Sequence, residues 1–237
     1  AYNNMGLTSH DQNNLDEAIK AYKKAISLKP DYPEAYINMG LTFHDKGDLD
    51  EAIKAYKKAI SRKPDYAVAY CNLGVILQSQ WKLDQAIAAY NKALELNFSS
   101  SVLYYNLGIT NYYTGKYDKS FKAYYEAISL KPDYAEAHRN LGYALLNNGQ
   151  LKEGLNELEW RWKTSENLPK QRHFEQPMWD GKESLNDKRI LVWCEQGVGD
   201  TIMWSSRLSL LASKAKHCIL ECQPKLVPLL KRSFPNV

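Results

Sequence analysis

Along the first two thirds of the chain, apolar and small residues return in step every 34 residues, as from Tyr36 to Tyr70 to Tyr104. With one period counted from Pro33 to Tyr66, position 4 carries Tyr2, Tyr36, Tyr70, Tyr104 and His138. Position 8 is glycine throughout: Gly6, Gly40, Gly74, Gly108 and Gly142. Position 20 runs Ala18, Ala52, Ala86, Ser120, Gly154, and position 24 runs Tyr22, Tyr56, Tyr90, Tyr124, Leu158. Positions 4, 7, 8 and 11 share one helical face, and positions 20, 24 and 27 share another, so each period predicts two amphipathic helices. Gly47, Gly115 and Gly149 turn the chain between them, and "KPDY" ends the second helix where proline cannot continue it.

This spacing resembles the tetratricopeptide repeat family over residues 1–165, with repeats at about 1–32, 33–66, 67–100, 101–134 and 135–165. The resemblance implies an all-α solenoid of helix-turn-helix repeats with a concave groove. Phe98 stands where proline is expected, which predicts a looser or re-aimed junction after the third repeat. The fifth repeat decays into "EWRWK" and reads as a cap.

Position 6 is always asparagine: Asn4, Asn38, Asn72, Asn106 and Asn140. At about 100° per residue it points well away from the packing face. Packed helices lie about 8–10 Å apart and an extended chain advances about 3.3 Å per residue, so one amide would meet every third residue of a bound peptide. An asparagine amide pairs with a backbone N–H and C=O together, whatever the peptide sequence. The O-linked N-acetylglucosamine transferases resemble this arrangement, which implies a peptide-holding ladder. The competing expectation is that these amides bridge adjacent helices.

Residues 166–188 read as a linker, anchored by Met178 and Trp179, and residues 189–237 predict the βαβα start of a parallel sheet, Rossmann-like and incomplete. Ile190 to Cys194 has the apolar run of a strand buried on both faces. The turn "EQGVGD" lacks the third glycine of a dinucleotide fingerprint and the Gly-Lys-Ser/Thr of a phosphate loop. "PMWDG" followed by "ILVWCEQGVGDTI" is similar to the opening of bacterial heptosyltransferase-like and O-linked N-acetylglucosamine transferase-like sugar-transferase domains. That resemblance implies a metal-independent, two-lobed parent and makes Asp200 of the Gly199-Asp200 pair a catalytic candidate, with Glu195, Gln196, Gly197 and Gly199 in a ligand loop. As a helix N-cap, Asp200 would instead accept free backbone N–H groups. Trp160, Trp162 and Trp179 are the expected docking contacts between repeats and sheet.

The net charge of +4 is mild. Lysines such as Lys20, Lys54 and Lys122 follow Asp16, Asp50 and Asp118 at a four-residue spacing suited to exposed helix pairs. That pattern argues against a nucleic-acid partner. No apolar run reaches membrane-span length. Cys71, Cys194, Cys218 and Cys222 are too scattered for a disulfide scaffold and read as reduced thiols of a cytoplasmic protein, with no metal and no cofactor. The chain reads as an excerpt beginning inside a repeat: a peptide-binding array feeding a glycosyltransferase that is only begun here and is inactive alone. A nucleotide sugar would bind only the full-length parent. The alternative is a non-enzymatic interaction scaffold.

Overall fold

A computed structural model describes residues 1–164, 174–179, 181–194 and 198–237. They fall into two compact units, Ala1–Gln171 and Arg172–Val237.

In the first unit every predicted helix pair forms. The pairs are α1 (Tyr2–Asp11) with α2 (Leu15–Leu28), α3 (Pro33–Lys46) with α4 (Leu49–Arg62), and α5 (Ala67–Ser79) with α6 (Leu83–Glu95). Then come α7 (Ser101–Tyr113) with α8 (Tyr117–Leu130), and α9 (Ala135–Asn147) with the short α10 (Leu151–Leu158). The helices of a pair pack on a glycine–tyrosine contact. Tyr22, Tyr56, Tyr90 and Tyr124 are buried, and each ring lies against the position-8 glycine of its own repeat. A Cβ added to Gly74 would sit 2.5 Å from Tyr90 Cε1. Only glycine admits the ring. In the fifth repeat Leu158 replaces the tyrosine, and backbone closes on Gly142 instead, the Leu158 nitrogen standing 2.8 Å from where a Cβ would be.

The "KPDY" motif closes on itself: Lys29, Lys63 and Lys131 hold their ammonium groups 4.9, 4.6 and 4.8 Å from the ring centroids of Tyr32, Tyr66 and Tyr134. The third junction is rebuilt by other means. Asn97 adopts φ +59°, and Ser100 caps α7 by accepting the Leu103 N–H at 3.1 Å. The four-apart acid–lysine pairs expected on the second helices give way to other partners. Glu17 and Glu51 take Lys20 and Lys54, while Asp16 stays near the start of α2 and receives Lys46 from the next repeat at 2.8 Å. The Lys46 hydrogen bond and charge hold the Asp16 carboxyl below its usual range. As an exposed pair it contributes little to stability.

Trp160 lies flat on His138, with ring centroids 4.0 Å apart. The His138 ring is clamped as well between Glu157 Oε2 at 2.5 Å and the Pro132 carbonyl at 3.0 Å. Trp160 thus completes the last repeat of its own unit.

The second unit contains a two-stranded parallel sheet, β1 (Arg189–Trp193) beside β2 (His217–Glu221), with Arg189 opposite His217 and Trp193 opposite Glu221. Between the strands lie α11 (Val198–Ser205) and α12 (Leu208–Lys214), and α13 (Val227–Ser233) follows. The strand–helix order is as expected, but a Rossmann-like sheet is not established by two short strands. β1 is not buried on both faces, since Leu191 is exposed together with Ile219 opposite it on β2. Cys218 is buried within β2, whereas Cys222 lies just past its end. The single helix expected between the strands is two helices, the first starting at Val198. Trp179 donates its Nε1–H to the Glu183 carbonyl at 2.9 Å, inside this unit.

Candidate functional site

The first helices of successive repeats, α1, α3, α5, α7 and α9, lie side by side in chain order. Position 6 falls on this row. Asn4 is exposed, and Asn38, Asn72, Asn106 and Asn140 are half-buried. Position 10 threonines fix the local backbone: Thr42 and Thr110 donate to the carbonyls of Asn38 and Asn106 at 2.8 and 2.7 Å.

The amides themselves divide into two kinds. Asn38 Nδ2 donates to Asn3 Oδ1 at 3.2 Å, and Asn140 Nδ2 donates to the Tyr105 hydroxyl at 3.1 Å. Both partners occupy position 5 of the preceding repeat. For Asn72 and Asn106 the corresponding residues are Ile37 and Cys71, both buried, neither offering a strong acceptor. Burial pushes the Cys71 thiol up to about 11, so it stays neutral at physiological pH. Among the described residues, the Asn72 and Asn106 side chains make no hydrogen bond. Two members of the row are therefore helix-to-helix bridges, and two present unused amides. Along the row position 9 leaves Leu7, Leu41 and Tyr143 exposed, while Val75 and Ile109, in the repeats of the two unused amides, are half-buried.

Asn106 also borders a hollow of about 350 Å³ between α5 and α7, walled by Val75, Gln78, Leu83, Trp81 and Tyr113. Gln78 accepts the Tyr90 hydroxyl proton on Oε1 at 2.8 Å, which fixes the amide with its NH₂ turned elsewhere. Trp81 and Tyr113 meet edge to face, with centroids 5.1 Å apart and planes at 68°. Both are solvent-exposed, at 68% and 57%. The aromatic series continues through Tyr112 to Tyr117 at 5.6 and 5.7 Å. Reading the turns by their glycines passes over Trp81. The signal was a tryptophan at the counterpart of Gly47, Gly115 and Gly149.

In the second unit, Glu195, Gln196 and Gly197 lie outside the described residues. The backbone places Gly199 and Asp200 in the first turn of α11, so Asp200 is a first-turn residue and not the residue that precedes the helix. The described residues contain no cluster of His, Cys, Asp or Glu fit to hold a metal ion. None of their helices is long and apolar enough to cross a membrane.

A family model described as "TPR repeat" matches residues 6–47, 40–80 and 111–149, and one described as "Tetratricopeptide repeat" matches residues 67–99. No curated protein matches the chain. Among solved structures, the chain is similar to MamA at 29% identity, covering 70% of this chain and 98% of that one with a TM-score of 0.63. It is similar in fold to YrrB, described as a TPR protein with an unusual peptide-binding site, at 21% identity, 70% and 86% coverage and a TM-score of 0.60. The pilF protein of Pseudomonas aeruginosa shares the fold at 17% identity, 68% and 74% coverage and a TM-score of 0.63.

Proposed function

Since its repeats make this chain a member of the tetratricopeptide repeat family, we propose that it is a protein-interaction scaffold holding an extended peptide along the row of first helices. One observation carries the reading: Asn72 and Asn106 are half-buried, adjacent in the row, and hydrogen-bonded to nothing among the described residues. A half-buried amide without a partner gives up part of its hydration for no return, whereas a peptide backbone would satisfy donor and acceptor at once. Asn38 and Asn140 play the other role, tying neighbouring repeats together. The peptide-binding description of YrrB agrees with this reading, but at its low identity it speaks only for the fold.

The test is the double variant Asn72→Ala/Asn106→Ala, compared with Asn38→Ala and Asn140→Ala. The double variant should melt within about 0.5 kcal/mol of wild type, as surface substitutions that break no contact do. Its affinity for an unstructured peptide library should fall about tenfold, at roughly 0.5–1.5 kcal/mol for each lost pairing. The bridge variants should instead lose stability. A double variant that loses stability but not binding would overturn the proposal.

A subordinate reading concerns the second unit. Gly199 and Asp200 open a helix just beyond the carboxyl end of a parallel strand, where open α/β sheets place ligands. On that reading the repeats present a protein acceptor to a sugar transferase, with Asp200 near the acceptor. On that reading a chain carrying the whole transferase should pass a labelled sugar to a protein acceptor, and transfer that survives Asp200→Asn ends it.

A further inference from the structure

Trp81 has φ +58°, in the left-handed region that its counterparts Gly47, Gly115 and Gly149 enter at +87°, +72° and +80°. The fourth counterpart, Asn13, is of a type that tolerates this region. A tryptophan there is strained by its Cβ, and it gains little burial in return, being 68% exposed. Strain held without a packing return is a mark of a binding position. Resting on the groove reading above, we propose that Trp81 and Tyr113 form a notch that seats a proline of an uncharged, extended partner segment.

The chemistry of the walls selects this occupant. No charged side chain lines the hollow, so a carboxylate entering it would find no counter-charge, and a lysine or arginine only the ring faces. The volume of about 350 Å³ lies at the small end of ligand pockets, room for one side chain at a time. The edge-to-face pair offers a ring face and a ring edge at 68°, a cleft for a flat, apolar ring. A proline-rich segment in the polyproline II form has no internal hydrogen bonds, so its carbonyls need donors. The unused NH₂ of Asn106 supplies one at the border of the same hollow. Aromatic-lined grooves that read proline-rich segments work on these terms.

The experiment uses the full chain and blocked, fluorescently labelled peptides of equal length. One repeats alanine and proline, a second replaces every proline with serine, and a third replaces alternate alanines of the first with lysine. The alanine–proline peptide should bind about five- to tenfold more tightly than the serine peptide, the ratio one well-made aromatic contact supplies. Trp81→Gly should erase that margin while raising the melting temperature. If Trp81→Gly fails to fold, Tyr113→Ala takes its place and should erase the margin too. Equal affinity for the proline and serine peptides, a preference for the lysine peptide, or a margin that survives either folded variant overturns the notch. If both neutral peptides bind equally and both weaken in Asn72→Ala/Asn106→Ala, the notch falls and the groove stands. If no peptide binds, both fall together.

Discussion

Asn111 occupies a site that holds Phe43, Leu77 and Leu145 in the neighbouring repeats, and it is 3% exposed. Its Nδ2 donates to the Leu107 carbonyl at 2.9 Å, but its Oδ1 is buried without a partner. An unsatisfied buried acceptor costs about 1–3 kcal/mol. Asn111→Leu restores the side-chain type of the second, third and fifth repeats, and urea denaturation should show the variant more stable by roughly that amount. A lower midpoint would mean that an ordered group already serves the oxygen. The same kind of residue-level accounting separates the ladder amides: what distinguishes Asn72 from Asn38 is the side chain across from it, not anything in its own repeat.

Each helix pair is held by one repeated contact, in which a tyrosine ring occupies the space left by a missing Cβ. Gly74→Ala therefore has a definite expected cost. The new methyl would stand 2.5 Å from Tyr90 Cε1, a ring that is fully buried and has nowhere to retreat. Overpacking of this kind costs about 1–3 kcal/mol. The chemical denaturation midpoint should fall accordingly, and an unchanged midpoint would show that α5 and α6 can part without loss. The turns between paired helices obey a separate demand, for positive φ, which glycine meets freely and Trp81 meets only under strain. The junctions between repeats tolerate more: a proline closes three of them, while an asparagine turn and a serine cap close the third.

Across the whole repeat unit, the buried tyrosines set an upper pH limit. Burial, the leading cause in each case, raises the hydroxyls of Tyr56, Tyr90 and Tyr124 well above their ordinary value, and pushes Tyr134 up to about 12. In the unfolded chain these groups ionise near about 10. Above that pH the unfolded chain binds fewer protons than the folded one, so stability falls as pH rises. Each of the deeply buried Tyr56, Tyr90 and Tyr124 removes about 1.4 kcal/mol per pH unit until its folded value is reached, and the partly exposed Tyr134 less. Melting temperature should be nearly level from pH 7 to about 8, decline above about 8.5 because the fold keeps the Cys71 thiol protonated, and drop steeply beyond about pH 10, where Tyr56→Phe should be shallower than wild type. Parallel curves for the two proteins would contradict the assignment.

The repeated contacts were legible in the sequence because they are made within one repeat. Gly40 and Tyr56, or Gly74 and Tyr90, keep a fixed separation, so each period writes the same pair again, and the helices, turns and core follow from reading it. The order of strands and helices after Arg189 was legible for the same local reason. What the period could not show was any contact whose meaning depends on two unlike residues in neighbouring repeats. Whether an asparagine is a bridge or an open amide depends on Asn3, Ile37, Cys71 or Tyr105 in the repeat before it, and identical asparagines take different roles. Likewise Trp81 and Tyr113 are separate departures from the pattern until packing of α5 beside α7 sets their rings 5.1 Å apart. Local helix geometry fixes the first kind of contact; only the packing of one repeat on the next fixes the second.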